Sequence, residues 1–391
     1  MKFEQVYDIT NEMAQEMLGE EALVKEDLSN IASIGDSFLS VAGVDNYCKA
    51  LNDKIGRMVF VNRLYEGRLP SVLRDSWDFG SILEKVSFNT LPVATENESW
   101  SLEDNTSYDP TIFHKPSIQV QCWNDAITFE IELSITERQV RSAFNSPEQL
   151  GSFYSMIETG IQNAMTVRKD SLVMRTMNAM VAETFYAEDA AGNAGTNKTG
   201  VKAVNLLKLW NDAHSGSEIY SVSAALKNKE FIRFAVATML DYMDSMGVYS
   251  TLYNVQGKER FTPKSRLGIA MHTLLKTHAD VYLQSDTFND EYTRLPQAET
   301  LPFWQGTGTG RTDADRTKVY ATSVSGHDVT VNGLLAVLYD KDACAVCCEN
   351  PRVTTFYNPK AEFLNEYHKW DARYLVDTAE NCVIFYCDAS A

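Results

Sequence analysis

Apolar residues along this chain fall into two rhythms, and the longer-running one is helical. Leu150, Phe153, Ile157, Ile161, Ala164 and Met165 recur at steps of three and four residues, and Leu172, Met177 and Val181 continue the stripe. The segment opens as a helix should. Ser146 offers a side-chain acceptor at the cap, Pro147 takes the first helical position and Gln149 the third. Gly151 and Gly160 are the interior glycines before the break at Gly192. The spacing predicts one helix over 146–185, spanning about 60 Å at the usual rise per residue. Helices average roughly 11–12 residues, so one this long acts as a strut.

The second rhythm has period two. Ile127, Phe129, Ile131, Leu133 and Ile135 alternate with Thr128, Glu130, Glu132 and Ser134, which predicts a half-buried strand. Ser134 and Glu137 then read as the capping box of a short helix to about Phe144. Ile118–Cys122 predicts another strand, with a turn at Asn124-Asp125. Further upstream, a helical pattern (Val44, Tyr47, Leu51, Ile55) ends at Gly56 and a strand follows over Arg57–Arg63. Residues 64–115 are rich in Gly, Pro, Ser, Asn and Asp but carry Trp77, Phe79, Trp100 and Tyr108. A structureless loop of that length is uncommon inside a compact domain. The expectation is an extended β-hairpin whose aromatics meet a neighbouring chain. Residues 1–45 are acidic and weakly periodic, with short helical patterns at Thr10–Leu18 and from Asp27 to Ala32, and read as a draping arm.

Ala191–Gly200 is the strongest linker signal. Beyond it, helical patterns run over 203–214 and 226–246. Phe231, Phe234, Ala235, Thr238, Met239, Tyr242 and Met246 share a face of the second. Leu267–Met271 reads as a buried strand leading into a helix. The final stretch is strand-rich: Asp328–Tyr339, Cys344–Cys348, Val353–Tyr357, Ala372–Val376 and Cys382–Cys387. Neither these strands nor the early ones complete a sheet alone. They are expected to join, with the 201–330 region inserted into one discontinuous domain.

The chain has 391 residues and 44% are hydrophobic, enough for two or three compact regions with real cores. Against 35 basic side chains stand 53 acidic ones, a formal charge of −18. Phosphate-backbone binding and adsorption to anionic membranes both need clustered cations, so this balance argues against them. It suits solubility at high copy number, or a container wall that must not stick to nucleic acid. Met1–Val6 is polar and lacks the apolar core of a signal peptide. No apolar run approaches the roughly 20 residues that span a bilayer. The expectation is a soluble protein made in the cytoplasm.

Signals for chemistry are weak. Cys344 and Cys347 resemble half a zinc site, but Cys382 and Cys387 do not complete a knuckle and no His follows at ligand spacing. In apolar strands they read as small hydrophobes. Glu130 and Glu132 read as a wet sheet face. The glycines of Gly306–Arg311 have neither Walker nor dinucleotide spacing and read as a mobile surface loop. A metal-dependent hydrolase would use Asp313 and Asp315 with His272, His278 or His327. None of the six His falls in a ligand motif, so no catalytic, cofactor or metal residue is predicted.

The order of arm, strand, long hairpin, strand, long helix, inserted lobe and returning strands resembles the major capsid protein of tailed bacteriophages, the Hong Kong 97-type α+β fold. Leu51–Arg63 looks like the strand entry to the E-loop in short-tailed phages, and Gly333–Asp342, Asn358-Pro359 and Phe363–Trp370 look like their C-terminal sheet. The resemblance implies an N-terminal arm (1–45), a peripheral-domain entry (46–63) and an E-loop (64–115). It implies a peripheral domain at 116–189 with its spine helix at 146–185, an axial domain at 190–330, and peripheral strands at 331–391. The implied function is a shell subunit forming hexamers and pentamers of an icosahedral or prolate head around double-stranded DNA. Implied partners are a separate scaffolding protein, since the arm is too short for an internal one, a portal protein at one vertex, and decoration or minor capsid proteins. The implied location is the virion, assembled in the host cytoplasm without a membrane. Some relatives crosslink through a Lys–Asn isopeptide bond, but no such triad can be placed on this sequence. An encapsulin-like compartment shell is the alternative. Trp77, Trp100, Tyr108 and Phe113 are the expected interface anchors. The acidic stretch from Glu96 to Asp109 is expected to meet a basic strip at Arg168 and Lys169.

Overall fold

The computed structural model describes residues 3–19, 24–25, 30–37, 68–74, 83–88, 94, 96–108, 110–111, 113–115, 117–124, 126–143, 147–284, 298–305 and 312–390. The expected 46–63 entry segment and the glycine-rich 306–311 loop lie outside them. The chain divides into two compact units. One comprises Met1–Ser76, Ala126–Val173 and Val346–Arg373; the other comprises Trp77–Asp125, Met174–Ala345 and Tyr374–Ala391.

In the first unit a four-stranded sheet runs in the order Leu73–Arg74, Cys344–Asn358, Phe363–Val376, Ala126–Thr136. Ala126–Thr136 alternates half-buried apolar residues with exposed polar ones, as its pattern predicts. Its partner Phe363–Val376 pairs antiparallel, with Ile135 opposite Leu364 and Phe129 opposite Trp370. On the wet face Lys369 pairs with Glu130 at 2.6 Å, and Arg352 grips Asp371 at 2.8 and 3.0 Å. The short helix Glu137–Ala143 forms, but its capping box is not Ser134–Glu137. The Thr136 N–H donates to Gln139 Oε1 (3.0 Å), and the Gln139 N–H returns to Thr136 Oγ1 (3.4 Å). Ser134 is still inside the strand, and its hydroxyl is taken by Asn365 across the pair at 2.6 Å. In the N-terminal stretch, the helix Phe3–Leu18 buries Thr10, Met13 and Ala14.

The long helix is one element of 44 residues, Pro147–Ala190, about 66 Å from end to end. Up to Met165 it buries one stripe (Phe153, Tyr154, Ile157, Ile161, Met165); from Leu172 onward it is buried nearly all round. It stops where Gly192 adopts φ +78° and its N–H returns to the Asp189 carbonyl at 2.8 Å. The linker that follows is pinned. The Tyr386 hydroxyl accepts the Gly195 N–H (3.0 Å) and bonds the Lys198 carbonyl (3.0 Å). Glu188 accepts the Lys202 N–H and pairs with its ammonium, both at 3.0 Å. Burial alone would raise the Glu188 pKa, but the Lys202 contacts outweigh it and hold the carboxyl below its usual value.

The second unit is built on a five-stranded mixed sheet, in the order Ala203–Asn205, Cys382–Tyr386, Leu334–Asp340, Leu267–His272, Glu299–Leu301. One core cluster joins residues of its strands to the helices Leu206–Ala213, Val222–Lys227, Lys229–Ser245 and Thr273–Gln284. The returning strands therefore divide. Phe363–Val376 joins an early strand as expected, but Leu334–Asp340 and Cys382–Tyr386 pair with strands of the inserted region. The reason is local: every residue of these two strands is buried, so they need a sheet packed on both faces. The predicted strand Asp328–Tyr339 breaks at Gly333, whose φ is +66° and where a Cβ would collide with the Cys387 carbonyl.

Candidate assembly surface

Around the segment expected to form the E-loop lies a two-stranded stem. Leu83–Phe88 and Ile118–Trp123 pair antiparallel, with Phe88 opposite Ile118 and Val86 opposite Val120. Alternation puts Val86, Phe88, Ile118 and Val120, with Glu84 and Cys122 at one end, on one face and Lys85, Ser87, Gln119, Gln121 and Trp123 on the other. The polar face is the half-buried one. The apolar face is open, with Val86 65%, Phe88 46%, Ile118 57% and Val120 55% exposed. That inverts the arrangement of strand Ala126–Thr136.

The root of the stem explains the orientation. Lys85 Nζ reaches Asp377 Oδ2 at 2.5 Å and also contacts Glu380, which Arg260 holds at 3.5 Å. Trp123 Nε1 donates to the Val376 carbonyl at 3.3 Å. Asp377 is buried, so a charged partner on this side has high value. Lys85 and Trp123 hold the polar face against the body of the unit and leave the apolar pairs outward.

Beyond the stem, the described tip residues form no strand, only a short turn at Glu98–Trp100. The expected hairpin is thus a hairpin in its stem alone. Trp100 is 98% and Phe113 82% exposed; Tyr108 is also exposed, its hydroxyl accepting the Glu103 N–H at 3.0 Å. Glu96, Glu103 and Asp104 are exposed, which keeps the tip acidic. Trp77 and Asp109 lie outside the described residues. The two basic candidates separate. Arg168 is exposed on the long helix, beside exposed Val167, whereas Lys169 is only 7% exposed and holds partners within the chain. Consecutive helical residues point about 100° apart, so one of a neighbouring pair turns inward. Among the described exposed residues of this helix up to Val173, Arg168 is the one charge.

His272 closes a buried strand and its Nδ1 accepts the Leu274 N–H at 3.1 Å; burial, with Arg316 nearby, pushes its pKa down to about 4. His327 stacks on Tyr186 with ring centroids 4.1 Å apart, and His278 lies on the helix Thr273–Gln284. Asp313 and Asp315 sit on a short helix, Asp313–Arg316; Thr312 caps it by accepting the Asp315 N–H at 3.2 Å. Cys344, Cys347, Cys382 and Cys387 are core residues. Burial pushes the Cys382 thiol up to about 12 and raises Cys344 and Cys387 as well, so these thiols stay protonated. Among the described residues, no three His, Cys, Asp or Glu are grouped so as to hold a metal ion.

The family model described as Phi29-like phage major capsid protein matches residues 8–386. No curated protein sequence matches the chain. Among solved structures, the chain is similar to one in the capsid of Staphylococcus phage Andhra, at 11% identity and a TM-score of 0.46, covering 83% of this chain and 84% of that one. A chain from the cyanophage P-SCSP1u capsid matches at 11% identity and TM-score 0.45, over 84% and 88%. One from the head-fibre and inner-core structure of bacteriophage P68 matches at 10% identity and TM-score 0.47, over 82% and 84%.

Proposed function

The chain belongs to the Phi29-like phage major capsid protein family, a family of structural virion proteins, and from that premise we propose how it builds the shell. Copies join as hexamers and pentamers, the lobe centred on residues 190–330 surrounding the local symmetry axes, and close an icosahedral or prolate head around double-stranded DNA. The observation that carries this reading is the two-stranded stem, whose apolar pairs Val86–Val120 and Phe88–Ile118 face solvent while its polar face is turned inward. Contiguous apolar exposure on a well-packed unit marks a surface that another molecule covers. A neighbouring copy is that molecule.

Burying such a face yields about 25 cal/mol per Å² removed from water, less the cost of ordering the tip. Each contact is therefore weak alone. Weak contacts let a misplaced subunit leave before the shell closes. Trp100, Tyr108 and Phe113 supply aromatic anchors, and the acidic tip meets Arg168 of the neighbour's long helix; Trp77 and Asp109 complete the proposed set, from which buried Lys169 drops out. The charge of −18 lets the wall enclose DNA without sequence-specific binding. A separate scaffolding protein, a portal at one vertex and decoration or minor proteins complete the particle, assembled in the host cytoplasm. Among the described residues, no helix is long and apolar enough to cross a membrane.

Replacing Val86, Phe88, Ile118 and Val120 together by Thr tests the reading. Sedimentation of the wild type is expected to give large assemblies, and that of the variant folded, small species. Normal shell yield from the variant would refute the docking role of this face. Arg168→Glu is expected to weaken assembly while leaving the monomer folded.

A further inference from the structure

One dipeptide carries a chemical liability that the fold makes irreplaceable. Of all the asparagines in the sequence, Asn332 alone is followed by glycine. It lies between the strands Asp328–Val331 and Leu334–Asp340, and it is exposed. Gly333 has no substitute: its φ is +66°, and a Cβ there would collide with the Cys387 carbonyl and the Val222 side chain. A glycine that follows asparagine leaves its backbone nitrogen open to the asparagine side chain, because no Cβ shields it. Among the described residues the Gly333 N–H donates no hydrogen bond, so none has to break to free it. Gly333 is itself buried, so attack by its nitrogen waits on local opening and is slow.

The side chain at risk is part of a clasp. Asn332 Nδ2 donates to Asp388 Oδ2 at 3.4 Å, and the same oxygen accepts the Thr196 hydroxyl at 3.1 Å. Asn205 holds the Asp388 backbone, donating from Nδ2 to its carbonyl (2.6 Å) and accepting its N–H on Oδ1 (3.2 Å). The Asn197 N–H donates to that carbonyl as well, at 3.1 Å. Asn197 Nδ2 donates to the Ser390 carbonyl (3.1 Å), and Asn197 Oδ1 accepts the Ser390 N–H (3.2 Å). Residues 388–390 are thereby sewn to the linker that follows the long helix.

We propose that Asn332 is a self-modification site, converted by deamidation to aspartate or isoaspartate, and that the product loosens the clasp between residues 388–390 and the linker. The Gly333 nitrogen loses its proton to solvent base and bonds Asn332 Cγ. The Cγ–Nδ2 bond breaks, and Nδ2 takes up a proton and leaves as ammonia. A five-membered succinimide remains. Water, the only co-reactant, opens it and returns a proton to the Gly333 nitrogen. Cleavage of the new bond at Cγ gives aspartate. Cleavage at the main-chain carbonyl gives isoaspartate, with the chain rerouted through Cγ. Nothing is oxidised or reduced. Aspartate sets a carboxylate where an amide donated to Asp388, and like charges repel there. Isoaspartate lengthens the main chain by a carbon beside the Gly333 carbonyl, which accepts the Cys387 N–H at 2.9 Å. This chemistry belongs to the chain itself, whether or not it is part of a shell.

The full chain, aged in warm neutral buffer and mapped by peptide mass spectrometry, tests the site. Asn332 is expected to deamidate roughly tenfold faster than Asn97 or Asn105, exposed asparagines followed by Glu98 and Thr106. Both isomers should appear, and in heavy-oxygen water each should carry a labelled oxygen. Hydrogen exchange of the 195–199 and 388–390 amides should quicken severalfold in the aged wild type and in Asn332→Asp, and should not change on ageing in Asn332→Gln. An Asn332 amide lost no faster than those of Asn97 and Asn105 would overturn the modification site. Exchange in Asn332→Asp equal to that of the fresh wild type would overturn its effect on the clasp.

Discussion

Two pairs of strands within the second unit both carry large apolar side chains and put them to opposite use. Leu334–Asp340 and Cys382–Tyr386 are apolar or aromatic except for Asp340, and every position is buried. Leu83–Phe88 and Ile118–Trp123 alternate apolar with polar residues, yet the side that carries Val86, Phe88, Ile118 and Val120 faces solvent. Alternation marks the second pair as two-sided; cover decides which side is out. Helices such as Lys229–Ser245 and Thr273–Gln284 contribute to one core cluster with the first pair. Among the described residues the second pair is a two-stranded ribbon with no third strand beside it. Lys85 and Trp123 commit its polar side to the body. Apolar exposure there is a placed surface and not a failure of burial.

The contrast breaks most violently from the buried side. Phe385→Ala removes a fully buried ring from the central sheet and is expected to cost about 3–5 kcal/mol, read as a lower melting temperature and denaturant midpoint. Lys85→Met cuts the stem from Asp377 and Glu380 and is expected to cost about 1.5–3 kcal/mol, as loss of a charge-assisted contact does. Hydrogen exchange should then quicken in the 83–88 and 118–123 amides while the sheet keeps its protection. Each of the Thr substitutions on the exposed stem face should change single-chain stability by only about 0.5 kcal/mol or less, although together they are expected to abolish assembly. If they destabilised the chain as Phe385→Ala does, the stem face would be core and the comparison would fail.

The smallest expected effect concerns an exposed face whose partners are already in the chain. The Arg352 guanidinium holds Asp371 at about 2, below its ordinary 3.8. A carboxyl lowered on folding contributes stability that is present above pH 3.8 and lost as pH falls through about 2. Asp371→Asn should therefore flatten the acid limb of the stability curve across that window and leave assembly untouched. That outcome would separate a satisfied polar face from an unsatisfied apolar one.

Much of this fold was legible because its signals are long. The stripe from Leu150 to Val181 repeats over eight turns or so, and the Ile127–Ile135 alternation runs without a break, so helix and strand followed from period alone. The buried strands at 334–340 and 382–386 were also plain, but not their sheet. An all-apolar run reports burial on both faces and says nothing of which neighbours supply it. The capping box slipped by two residues because Ser134 and Thr136 both precede the helix, and only pairing with Asn365 shows that Ser134 is occupied. The stem face was harder. Ile118-Gln-Val-Gln-Cys122 reads the same whichever side faces water, and the deciding contact, Lys85 with Asp377, spans 292 residues. Lys169 was lost to a similar ambiguity, since adjacent basic residues on a helix do not share a face. The 246–262 loop gave no periodic signal, because its logic is a set of long-range hydrogen bonds to Thr378, Asn381 and Asp340.

The most direct test of the account is negative-stain electron microscopy of the purified chain, alone and co-expressed with its neighbouring gene products, beside the four-residue stem variant. Closed shells or arrays of hexamers and pentamers from the wild type, with only small folded particles from the variant, are predicted. Stable wild-type monomers or dimers under every condition, or shells from both proteins alike, would contradict it.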